Sequence, residues 1–184
     1  MFKNLTVYRI GPEWQASISV IESSLQKMRF VPCGATQKQS SGWVEPRGIK
    51  HAPLVESIGG QYLLKLQVEQ RVLPGAVVKK RTEELAKQVE DNTGRKPGKK
   101  QTKELKEQAE LELLPMAFTK QSSINVWIDP TRHMLMLDTS SSSRAEDVIT
   151  TLVKVLDGFA VSLLQSKESA AVAMKEWLAS GEPP

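Results

Sequence analysis

The chain has 184 residues, 40% hydrophobic and 25% charged, with a net charge of +4. That length suits one domain with a small appendage, and the composition is that of a globular protein, neither fibrous nor intrinsically disordered. Cys33 is the only cysteine, which excludes an internal disulfide and a thiolate-rich metal site.

No charged segment leads into an apolar run at the start, and no apolar stretch approaches the ~20 residues a membrane helix needs. The expectation is a cytoplasmic protein with no membrane contact.

In chain order, FKNLTVYRI (residues 2–10) mixes β-branched and aromatic residues and predicts a strand, stopped by Gly11-Pro12. Trp14, Ile18, Ile21, Leu25 and Met28 recur at helical spacing and predict a helix over residues 14–30. Residues 31–48 are rich in turn formers, with one extended piece around Trp43-Val44. Tyr62, Leu64, Leu66 and Val68 alternate with more polar neighbours and predict a long strand over residues 59–74.

Pro74-Gly75 ends that strand. A helix follows with a thin apolar stripe at Val78, Leu85 and Val89. After a Gly/Pro break comes a second helix, striped at Leu105, Ala109 and Leu113. Stripes this narrow predict an antiparallel helical hairpin whose helices bury their seams mainly against each other, protruding from the rest. Beyond Pro115, residues 123–138 read as two strands joined at Asp129-Pro130-Thr131. A helix is predicted over 141–156, with Ser143 and Glu146 at capping-box spacing, then a strand over 158–165 and a last helix over 168–181. The pattern is α+β: a mixed or antiparallel sheet body from residues 1–74 and 115–184, and a hairpin insertion from residues 75–114.

The net charge is concentrated. Between Asn92 and Lys103 stand Arg95, Lys96, Lys99, Lys100 and Lys103 with no acid, so the rest of the chain carries −1. A phosphate loop of the GxxxxGK[ST] kind does not fit: Gly94 and Gly98 are too close, Lys100 stands where a hydroxyl is required, and a helix precedes. Strong helix formers on both sides leave no room for a flexible linker. Two readings stay open, a solvated helix tip and a set of phosphate contacts along a nucleic acid. Lys79, Lys80, Arg81, Lys87 and Lys106 extend the basic character, but Glu83, Glu84, Glu104 and Glu107 interleave with them and favour pairing on a solvated helix.

Catalytic signals are weak. His51 and His133 have no metal-ligand spacing, and Cys33 has no base that its position predicts. Asp129 and Asp138 flank a hairpin and in principle suit Mg²⁺, but Asp129-Pro130 is also an ordinary turn. No metal or cofactor is expected. Phe118, just past Pro115, is expected from spacing to pack into the body.

The blocks MFKNLTVYRI, FVPCG, GWVEPRG, RVLPGAVVKK, ELLPMAFTKQSSINVWID and EWLASG together resemble the recombination-associated protein RdgC family over essentially the whole chain. The resemblance implies a central α+β body (residues 1–74 and 115–184), a protruding helical tip (75–114) and a base domain absent from this sequence, which corresponds to about the first three-fifths of the family length. It implies binding of double-stranded DNA without sequence preference, by a homodimer closed into a ring through tip and base contacts. It further implies limited access of the recombinase RecA to DNA, and a nucleoid location. Carried over to this sequence, Arg95, Lys96, Lys99, Lys100 and Lys103 become DNA contacts, with Lys79 and Lys80 as weaker candidates, and Phe118 becomes a subunit-interface residue. Met116 departs from the pattern, because the family commonly has a basic residue there. The competing expectations are a metal-dependent exonuclease using Asp129 or Asp138, and a protein-interaction module whose hairpin grips a partner.

Overall fold

A computed structural model of the chain describes residues 2–165 and 170–181. Among these residues seven strands form one antiparallel sheet: β1 (Thr6–Ile10), β2 (Gln39–Val44), β3 (Glu56–Ile58), β4 (Gln61–Arg71), β5 (Thr119–Asp129), β6 (Met134–Leu137) and β7 (Val161–Leu163). The order across it is β2-β4-β5-β6-β1-β7, with β3 paired to β4. Among the described residues five α-helices accompany it: α1 (Ile18–Gln26), α2 (Gly75–Thr93), α3 (Lys99–Leu113), α4 (Ser142–Val155) and α5 (Ala170–Ser180). The α+β expectation holds.

One face of the sheet is the core. Leu64 and Leu66 of β4 pair across to Val126 and Ile124 of β5, and all four are buried. Ile21 and Leu25 of α1 and Ala145, Val148 and Leu152 of α4 join them in one cluster. Residues of the opposite parity, such as Lys65, Gln67, Ser123 and Asn125, give the second face its polar character.

Local chemistry trims two expected helices. α1 starts at Ile18 because Ser17 caps it, its Oγ accepting the Val20 N–H. Trp14 is left before the helix, buried edge-to-face on Phe159 with ring centroids 4.9 Å apart. The cap of α4 is Ser141, whose Oγ accepts the Arg144 N–H, and not Ser143. A run of serines permits several registers, and burial of Ala145, Val148 and Leu152 selects this one.

β2 contains a contact invisible in the sequence. The Phe30 N–H donates to the Trp43 carbonyl, and the Trp43 N–H to the Met28 carbonyl. The crossing segment lies so close that a Cβ on Gly42 would sit 2.4 Å from the Phe30 Cα. Only glycine fits there.

Candidate nucleic-acid interface

The hairpin is built by α2 and α3. α2 stops at Gly94, which adopts φ 66° and donates its N–H to the Glu90 carbonyl. Gly98 opens α3 without a side-chain cap. Between the helices, Leu85, Leu105 and Ala109 form a buried cluster separate from the sheet core, flanked by Ala86 and Val89. Arg81 clips the seam from outside, donating Nε and Nη2 to Glu112 Oε2 at 2.8 and 2.7 Å and Nη1 to Glu84. Hydrogen bonding from Arg81 holds the Glu112 carboxyl below the usual carboxylate range.

The hairpin root is held by polar contacts. Arg71, at the end of β4, donates Nη1 to the carbonyls of Leu114 and Ala117 at 3.1 and 3.0 Å, and Nε to the carbonyl of Gly34 at 3.3 Å. It therefore terminates α3 with a cation, where unpaired carbonyls and the helix dipole both favour one. Lys38 pairs with Glu110 of α3, and its hydrogen bond lowers the glutamate's pKa.

Arg95, Lys96, Lys99, Lys100 and Lys103 are all exposed, and none makes a side-chain hydrogen bond or ion pair among the described residues. Lys99 and Lys100 occupy the first turn of α3, which has no acidic residue. Positive charge at a helix N-terminus opposes the dipole by a few tenths of a kcal/mol per residue. These lysines therefore do not stabilise the helix that carries them. Lys96 is the most offset of the five, bordering a depression lined also by Glu83, Glu90 and Asp91.

The remaining candidates lie elsewhere on the hairpin. Lys79 and Lys80 are near the root, about 20 Å from the turn at 1.5 Å per helical residue. Lys79 is 3.8 Å from Glu83, the i,i+4 pairing anticipated from the sequence. Lys79 and Lys103 both line a groove beside the seam, with Lys106 and Lys38. Sequence reasoning missed Lys38 and Arg71 because both reach the hairpin only through the fold.

Phe118 does not pack into the body; it is 87% exposed. Its backbone continues the β4–β5 ladder, its carbonyl accepting the Val72 N–H at 2.8 Å. It shares the parity of the buried Ile124 and Ile128, but Lys120 of that parity is already exposed, so the helical cover ends before reaching it. The neighbouring Met116 is 74% exposed.

The carboxylates considered for metal chemistry have local employment. Asp129 is buried and accepts from the N–H groups of Thr131 and Arg132 and from Gln61 Nε2, closing the β5–β6 turn. Asp138 accepts from the N–H groups of Lys3 and Asn4 and from Asn125 Nδ2. Burial pushes Asp138 up, but these donors outweigh it and leave the group below its ordinary value. Asp129 pairs with Met134, so Asp138 lies four residues further along the hairpin, about 13 Å away. Burial and the nearby Glu69 raise the Cys33 thiol pKa, making it a poor nucleophile. His51 and His133 take positive φ at turns.

A family model described as "Putative exonuclease, RdgC" matches residues 1–184. The chain belongs to the RdgC family. Among curated relatives, it is 40% identical over 183 residues to the recombination-associated protein RdgC of Dechloromonas aromatica, 41% to that of Cupriavidus necator and 38% to that of Bordetella pertussis. Each alignment covers 100% of this chain and 60% of the relative, so the chain spans about three-fifths of the RdgC proteins it matches. Among the described residues, no helix is long and apolar enough to cross a membrane.

Proposed function

We propose that this chain is a DNA-holding part of a recombination-associated protein, binding double-stranded DNA through its phosphates without reading sequence. The observation that carries this is the set of exposed, unpaired cations at the hairpin turn, two of them placed against the dipole of their own helix. Charges that cost stability and find no intramolecular partner suit an external polyanion. Lysine-rich contacts of this kind position a duplex and carry no base readout.

On this reading residues 75–114 are a DNA-facing tip on a body formed by 1–74 and 115–184. Two copies associate through the surface around Phe118 and, in the longer family members, through their base, enclosing the duplex and limiting access of RecA in the nucleoid. The relatives' printed name, recombination-associated protein, agrees with that role.

The reading is of a binding protein and not of a nuclease. It is supported by Asp129 and Asp138, which spend their oxygens on backbone and amide donors about 13 Å apart.

A mobility-shift titration across salt tests it. Five phosphate contacts give a log–log slope of about −4 to −5 per subunit. Replacing Arg95, Lys96, Lys99, Lys100 and Lys103 by alanine should remove most of both slope and affinity. A flat salt dependence, or unchanged binding in that variant, rejects the proposal.

A further inference from the structure

A second basic feature lies on the body, far from the hairpin. Where β1 ends, between the β5–β6 turn and the start of β7, is a pocket of about 500 Å³. β5 runs 11 residues from the hairpin root to that turn, which places the pocket roughly 33 Å from the root.

Four donors from three places in the chain converge on it. Arg9 of β1 and Ser162 of β7 are directly paired across the ladder, so their side chains share one face of the sheet. Arg132 and His133 come from the β5–β6 turn, which is tied to the end of β1 by the Ile10 N–H donating to the His133 carbonyl at 2.8 Å. No acid lines the pocket among the described residues. Asp129, at the same turn, spends its oxygens on the Thr131 and Arg132 N–H groups and on Gln61.

The donors are also free. Arg9, Arg132 and Ser162 are exposed, and among the described residues their side chains make no hydrogen bond or ion pair. His133 Nδ1 is buried without a hydrogen-bond partner, an unmet need of the kind an ordered water or a bound ion supplies. Its backbone holds φ 51°, a conformation that disfavours a side chain.

Two guanidinium forks, a hydroxyl and an imidazole offer more donors than the two oxygens of a carboxylate use. A phosphate, with three or four oxygens, matches them, and arginine grips it bidentately. No aromatic residue lines the pocket to stack a base. We infer that this pocket binds a phosphate group, with Arg9 and Arg132 gripping its oxygens and Ser162 and His133 completing the donor set. The phosphate belongs either to a free anion or to a nucleic-acid backbone, and in both cases the site is independent of the hairpin cations.

Titration of the 184-residue chain with inorganic phosphate, followed by amide chemical shifts, tests the assignment against chloride at equal ionic strength. Phosphate should move the amides of Gly11, His133 and Ser162 saturably, and chloride should not. The double variant Arg9→Gln, Arg132→Gln should weaken phosphate binding at least about tenfold. Should it melt early, Arg132→Gln alone makes the comparison from the exposed turn. A second arm adds a short DNA duplex to the chain whose five hairpin cations are alanine. Movement of the same three amides, reversed by phosphate, assigns the site to the nucleic-acid backbone; a response to inorganic phosphate alone assigns it to a free anion. Shifts that chloride reproduces, or unchanged affinity in the arginine variants, overturn the inference. Neither result alters the salt slope that the hairpin cations produce, so the two sites stand or fall separately.

Discussion

Arg71 Nη1 lies 3.0 Å from the carbonyl oxygen of Ala117, and the same nitrogen reaches the carbonyl of Leu114. One guanidinium at the end of β4 thereby fastens the exit of the helical hairpin to the sheet. The hairpin's apolar cluster is separate from the sheet core, and this contact and the Lys38–Glu110 pair join the two, beside the buried Val78 and Leu114 at the root. Replacing Arg71 by methionine should cost about 1–3 kcal/mol, because the carbonyls lose a charged donor. Hydrogen exchange should show protection falling more in the last turns of α3 than in the centre of β5. Equal protection in both would show that Arg71 does not hold the root.

Gly42 is intolerant for a different reason. A Cβ there would lie 2.4 Å from the Phe30 Cα and 2.6 Å from its nitrogen, both backbone atoms that cannot rotate aside. Gly42→Ala should destabilise by more than about 2 kcal/mol, read from the urea midpoint. Gly59→Ala is a useful contrast: nothing lies within 4 Å of its added Cβ, and only its φ of 60° is strained.

Phe118→Ser should leave thermal stability within about 0.5 kcal/mol of the parent, since the ring is 87% exposed. If the proposed subunit contact is correct, the same change lowers the sedimentation-derived mass at concentrations where the parent associates. A large loss of stability would mean that the ring is buried after all.

Asp138 couples pH to the N-terminal segment. Its folded pKa is lowered, so its contribution is present above the unfolded value of ~3.9 and is lost as pH falls through the folded value. Stability should therefore decline from about pH 4 downward, and Asp138→Asn should flatten that part of the profile while lowering stability at pH 7. Amide exchange at Lys3 and Asn4, the two N–H donors to this carboxylate, should accelerate in the variant. An unaltered acid profile would remove Asp138 from this role.

Lys99 and Lys100 should show opposed effects on folding and binding. Changing both to glutamate places acids in the first turn of α3 and should stabilise the hairpin by about 0.3–1 kcal/mol per site. The same variant should weaken duplex binding in low salt, where backbone contacts dominate. A gain in stability without a loss of binding would leave these lysines as ornaments of a solvated tip.

Much of this was legible in one dimension. The alternation through Tyr62, Leu64, Leu66 and Val68 and the narrow stripe through Leu85 and Val89 depend on neighbours two to four residues apart, and such patterns report local geometry directly. The charge run from Arg95 to Lys103, bracketed by helix formers, marked the turn of the hairpin for the same reason. The position of Phe118 was not legible, because a residue can carry the parity of a buried strand face and still lie beyond the helices that cover that face. Nor was the need for glycine at position 42, which comes from a segment that meets it only after the chain has turned back.

By itself, then, the sequence determined most of the elements, though not the short strand β3, together with the hairpin and its concentrated charge, since these follow from propensity, spacing and composition. The tertiary structure alone decided which cations share a surface. Lys38 and Arg71 stand 33 residues apart, and the pairing of β2 with β4 brings both to the hairpin root, on the groove that Lys103 and Lys106 of α3 also line. A sheet converts that separation into adjacency, and no local pattern encodes it.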